Sequence, residues 1–110
     1  MIDWTRVETL REEVGEDSFV EVVALFLDEV DEVADRFRAA PDVARLERDL
    51  HFLKGSALNL GFARLGDLCQ TGERMAAEGR ADAVDVAEIL AVYAESRRAF
   101  AQALGLASAA

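Results

Sequence analysis

The chain has 110 residues, 52% of them hydrophobic, with 22 acidic against 12 basic residues and a single cysteine. That is one domain's worth of chain with ample apolar material for a packed core, which excludes a disordered segment. The lone Cys69 excludes an internal disulfide, and a net charge of −10 excludes nucleic acid and anionic lipid as partners.

The pattern predicts helices throughout. No alternating run of β-branched residues appears, and Ala, Leu, Glu and Arg dominate. A short first helix fits residues 3–14, with Asp3 as N-cap and Trp4, Val7, Leu10 and Val14 on one face. Gly15 ends it. Ser18 and Glu21 form a capping box for a long second helix, whose apolar seam is Val20, Val23, Leu27, Val30, Ala34 and Phe37. Pro41 suits the first turn of a third helix that reaches Leu60, where Gly61 supplies the stop. A fourth helix spans residues 62–78 and stops at Gly79. The fifth starts at Asp82 or Asp85 and carries Val86, Ile89, Tyr93, Phe100 and Leu104 on one face. The tail, residues 107–110, is expected to fray. Short connections favour an all-α fold: an antiparallel four-helix bundle with the short extra N-terminal helix as a lid on one end. Residues 1–110 read as a single domain, and a monomer.

Nothing predicts a membrane protein. Met1 leads directly into a charged amphipathic stretch, so no signal peptide is expected. The longest apolar run, residues 22–27, is too short to cross a bilayer. With a lone thiol and no lipidation motif, a cytoplasmic location is the expectation.

The third helix holds the chemistry. At about 100° per residue, Leu46, Leu50, Leu53, Ala57 and Leu60 share one core-facing stripe. His51, the only histidine, then points roughly 130° from the stripe's centre, towards solvent. Glu47, Arg48, Lys54, Gly55 and Leu58 lie on the same side. A mid-helix glycine loses about 1 kcal/mol relative to alanine, so Gly55 requires an offsetting reason. Gly55 lies about 170° from the core stripe, which points to clearance beside His51 rather than to helix packing.

A neutral imidazole is the nucleophile needed to take a phosphoryl group. Lys54 would place positive charge near the transferred oxygens. There is no glycine-rich nucleotide loop and no carboxylate cluster that marks a metal site, so neither cofactor nor metal is expected. Such a site could accept and donate a phosphoryl group but not drive the exchange alone, so the chain is not expected to be an enzyme.

The residues His51-Phe52-Leu53-Lys54-Gly55-Ser56, then Leu60-Gly61, Leu65, Leu68-Cys69 and Glu73, resemble the signature of histidine-containing phosphotransfer (HPt) domains. The close match spans residues 51–73. The resemblance implies a four-helix bundle core with His51 as the exposed phosphorylation site. It implies that Lys54 and Gly55 are the family's flanking lysine and glycine, and that Glu73 hydrogen-bonds the imidazole. It also implies partners: response-regulator receiver domains, with a histidine kinase or hybrid kinase as a further candidate. One position departs from the family pattern. Gly72 stands where a larger apolar residue is usual, and it either loosens the bundle or lets helices approach closely.

Blander readings attach to several of these residues. Lys54 could pair with a nearby carboxylate, Glu73 could be solvated surface, and Ser56 could satisfy a backbone carbonyl. Cys69 falls on the core face, as a buried inert thiol would. Two functions remain. One is a phosphorelay intermediate that carries a phosphoryl group on His51 to a receiver aspartate. The other is a helical interaction module that binds a receiver or kinase without turnover. A docking surface around His51 would take Leu58 as its apolar part, with Glu47, Arg48 and Lys54 at its rim.

Overall fold

The computed structural model describes residues 1–40 and 42–105. Five α-helices follow in order: α1 (Trp4–Val14), α2 (Glu16–Ala39), α3 (Val43–Leu60), α4 (Ala63–Ala77) and α5 (Val86–Leu104), with a short 3-10 turn at Ala81–Ala83. Among the described residues there is no strand, and an isolated antiparallel bridge pairs Ile2 with Phe62. The expectations for Pro41 and for the tail at 107–110 lie outside the described residues.

Helix starts follow local capping chemistry, with one correction. Asp3, Asp42 and Asp85 each accept a hydrogen bond from a backbone N–H of the helix they precede, so Asp85 rather than Asp82 opens α5. The expected Ser18–Glu21 capping box is absent. Gly15, at φ 87°, both closes α1 and opens α2, a turn that an L side chain would resist. The second helix therefore begins at Glu16, and Ser18 lies exposed within it. The acidic Glu16 and Asp17 complement the helix N-terminus there.

The apolar seam of α2 is also displaced at its start. Phe19 is buried and Val20 is 56% exposed, whereas Val23, Leu27, Val30, Ala34 and Phe37 face the core as expected. Phe19 lies under the Arg11 guanidinium, 4.5 Å from its ring centroid, which ties α1 to α2. On α1, Val7 and Leu10 are buried, but Trp4 stays 42% exposed and stacks on Phe100 of α5 at 6.1 Å.

Side chains from all four long helices meet in one core. Val30, Ala34 and Phe37 of α2, Leu53 of α3, Leu65 of α4 and Ile89 and Tyr93 of α5 surround a common internal void. The expected α3 stripe is buried throughout, from Leu46 to Leu60. Two polar ties cross the helices. Asp31 of α2 accepts from the Tyr93 hydroxyl at 2.6 Å and pairs with the Arg97 guanidinium at 3.0 Å. Arg36 of α2 donates to the buried Asp49 of α3 at 3.1 Å.

The α3–α4 turn is held by a glycine and by the chain before α1. Gly61 adopts φ 79° and its N–H returns to the Leu58 carbonyl, closing α3. A Cβ on Gly61 would lie 2.6 Å from the Asp3 carbonyl oxygen, so the chain before α1 packs directly on this turn. The Asp3 N–H donates to the Gly61 carbonyl at 2.7 Å, and Arg6 reaches the Asn59 side chain at 3.1 Å.

Candidate functional site

His51 sits in the middle of α3, opposite the Leu50–Leu53–Ala57 core stripe, and its side chain is 69% exposed. Its direction follows from helical periodicity, but its orientation comes from α4. Glu73 Oε2 lies 2.7 Å from His51 Nδ1, and Glu73 Oε1 lies 2.8 Å from Lys54 Nζ. One carboxylate thus bridges two side chains a turn apart on α3. Nδ1 faces this carboxylate, so the Nδ1–H tautomer fits the bond and leaves the Nε2 lone pair on the outer side of the ring.

Glu73 reaches His51 because α4 lies close against α3. A Cβ on Gly72 would be 3.0 Å from Leu50 Cδ1 and 3.2 Å from Val84 Cγ1. A Cβ on Gly66 would be 3.2 Å from Leu58 Cδ2. Of the two consequences expected for Gly72, close approach is the one observed. Cys69 is fully buried between these glycines, and burial, then the charge of Glu73, pushes its thiol up to about 12. It is held as the unreactive thiol.

The Glu73 carboxyl titrates below its ordinary range. The Lys54 hydrogen bond is the largest cause, opposed by desolvation and reinforced by the bond to His51. Glu73 is therefore a carboxylate at neutral pH. Lys54 is engaged with it and does not stand free beside Nε2.

The remaining sequence-predicted residues divide between two grooves, with His51 on the ridge that separates them. Glu47 and Lys54 line the α3–α4 groove together with Gln70, Glu73 and Arg74. Arg48 lines the α2–α3 groove together with Glu29, Glu32, Val33, Arg36, Asp49 and Phe52. Gly55 faces open space, with nothing within 4 Å of where its Cβ would be. Leu58 is 54% exposed and leans over Gly66.

Several residues on α2 and on the α2-facing side of α3 escaped the sequence reading. Leu25 on α2 is 59% exposed, and with Glu29, Glu32 and Arg36 it continues one outward stripe at four-three-four spacing. Its position off the core seam was the available signal. Asp49 gave none: a buried carboxylate on the α2-facing side of α3 needs the packing partner to be known. Among the described residues there is no group of three or more His, Cys, Asp or Glu placed to hold a metal ion. No described helix is long and apolar enough to cross a membrane.

The Hpt domain family model matches residues 21–106, most of α2 and the whole of α3 to α5. The chain belongs to the Hpt domain family. Hpt domains serve histidine phosphotransfer in phosphorelays, as phosphocarriers rather than catalysts, and interact with receiver and kinase domains. Comparison with curated proteins and with solved structures gave no significant match.

Proposed function

We propose that this Hpt domain carries its phosphoryl group on Nε2 of His51 and passes it to a receiver aspartate. The observation that carries this reading is the Glu73–His51 hydrogen bond at Nδ1, which leaves the exposed Nε2 as the free nucleophile. In the charging step the Nε2 lone pair attacks phosphorus in line, the phosphorus–oxygen bond to the donor's aspartate breaks, and that aspartate leaves as a carboxylate. No proton has to move. The ring becomes an imidazolium that keeps its Nδ1 proton, and the Glu73 carboxylate faces the new positive charge. Transfer onward is the reverse step on another receiver.

A receiver docks across the ridge. Phe52, next to His51, and Leu58, two turns further along α3, supply exposed apolar area, Leu25 on α2 is a further exposed apolar side chain, and Glu29, Glu32, Arg36, Arg48 and Glu47 form a charged rim. Gly55 leaves the approach clear. We take the chain as one domain and a monomer, with α2 to α5 running as an antiparallel four-helix bundle. The Arg36–Asp49 tie across the α2–α3 connection and the two-residue α3–α4 turn support that arrangement. The chain binds no nucleotide and has no autokinase activity in this reading.

Incubation with receiver domains charged by acetyl phosphate tests the reading. Wild type should acquire an acid-labile label, and His51→Gln should acquire none while remaining folded. A chain that binds a charged receiver but never takes the label would instead be the interaction module.

A further inference from the structure

Four cationic side chains line the two grooves beside His51: Arg36 and Arg48 between α2 and α3, Lys54 and Arg74 between α3 and α4. Two of them are committed. Arg36 pairs with Asp49 at 3.1 Å and Lys54 with Glu73 at 2.8 Å. Among the described residues, Arg48 and Arg74 are exposed and paired with no carboxylate. They lie on opposite sides of the imidazole. Arg74 follows Glu73 on α4, in the groove that Nδ1 faces. Arg48 lines the other groove, on the side of the ring away from Glu73.

The helix brings Arg48 within reach of Nε2. Arg48 and His51 are three residues apart on α3, neighbours with Cβ atoms about 5–6 Å apart. A helical side chain leans over the turn before its own Cα, so the imidazole covers the turn that carries Arg48. The chain has a net charge of −10, and Glu29 and Glu32 line the same groove. A phosphoryl group on Nε2 therefore adds negative charge to an acidic flank. An arginine there offsets it, and its planar fork can take two oxygens at once.

Resting on the reading of His51 Nε2 as phosphoryl carrier, we infer that Arg48 is a catalytic residue whose guanidinium donates to the equatorial oxygens of the phosphoryl group. The bond that forms and the bond that breaks are in line with Nε2, and the three oxygens spread to the sides of that axis. A guanidinium beside the axis holds one or two of them without blocking the receiver aspartate. Arg48 gives up no proton and makes no covalent bond; it stabilises the charge on the oxygens during transfer and afterwards. This goes beyond its place at the docking rim, and the two roles have different consequences. A rim residue changes how tightly the receiver binds. A residue on the phosphoryl group changes the rate once the receiver is bound, and it acts on the charged protein with no receiver present.

The test charges wild type, Arg48→Gln, Arg48→Lys and Arg74→Gln with potassium phosphoramidate, which phosphorylates histidine without a receiver. Phosphorus-31 shifts followed against pH then report the second ionisation of the phosphoryl group. A cation beside the dianion favours it, so the midpoint should rise by about half a pH unit or more in Arg48→Gln. Arg48→Lys keeps the charge and should recover most of that shift, and Arg74→Gln should keep the wild-type midpoint. The second readout is charging by a receiver, where Arg48→Gln should lower the maximal rate at saturation about tenfold. An unchanged midpoint in Arg48→Gln, a midpoint that moves with Arg74→Gln instead, or a loss confined to the half-saturating receiver concentration would overturn the inference. A wild type that phosphoramidate charges but no receiver does would end the carrier reading, and the midpoint would still decide whether Arg48 holds the phosphoryl group.

Discussion

Gly72 and Gly55 sit on opposite sides of the same histidine and have opposite surroundings. At Gly72 the α3–α4 seam is closed, and a single added carbon would touch Leu50 and Val84. At Gly55 the flank of α3 is open, with no atom within 4 Å of an added carbon. Both glycines lower helix propensity, yet one brings α4 close enough for Glu73 to reach His51 and the other keeps the front of the ring uncovered. The site is thus close-packed behind the imidazole and open before it. A phosphocarrier needs both, because the nucleophile must be oriented without being covered.

The largest expected effect is on the closed side. Gly72→Leu forces a branched side chain into the contact between Leu50 and Val84, and it should destabilise the fold by about 1–3 kcal/mol or more. For a domain of this size that lowers the melting temperature by roughly 4–8 °C per kcal/mol. An unchanged melting temperature would mean that the seam is looser than described.

The open side should respond in the other sense. Gly55→Leu should leave stability intact or raise it and slow transfer about tenfold by standing between His51 and an incoming receiver. Gly55→Ala should be milder in transfer and more stable by up to about 1 kcal/mol, since it gains helix propensity without a clash. Equal transfer rates in Gly55→Leu and wild type would place the docking side elsewhere.

A smaller effect concerns the carboxylate that joins the two sides. The folded-state pKa of Glu73 is lowered from an ordinary value of 4.5, so its contribution to stability is complete above that value and fades as pH falls through the lower folded one. The melting-temperature gap between wild type and Glu73→Gln should therefore hold constant near neutrality and narrow in acid. A gap that widened as pH fell would reverse the sign of this argument.

Much of this was legible in the sequence because one helix carries it. The burial of Leu46, Leu50, Leu53, Ala57 and Leu60, and the exposure of His51, follow from helical periodicity alone. So does the open position of Gly55. What required the fold was everything contributed by a second element. That Lys54 and His51 share the Glu73 carboxylate depends on how close α4 comes, which Gly66 and Gly72 set. The Asp31 tie to Tyr93 and Arg97 spans more than 60 residues of sequence and leaves no local trace. The start of α2 differs from the sequence expectation for a local reason: a glycine at positive φ opens the helix before Ser18 can cap it, and Phe19 takes the core position expected of Val20.

The central claim is that the phosphoryl group resides on Nε2 of His51, with Nδ1 held by Glu73. Phosphorus-31 and nitrogen-15 NMR of the charged protein tests it most directly. The account predicts one phosphorus signal coupled to the outer ring nitrogen of His51, with the proton retained on Nδ1. Phosphate on Nδ1, or on any residue other than His51, would contradict it.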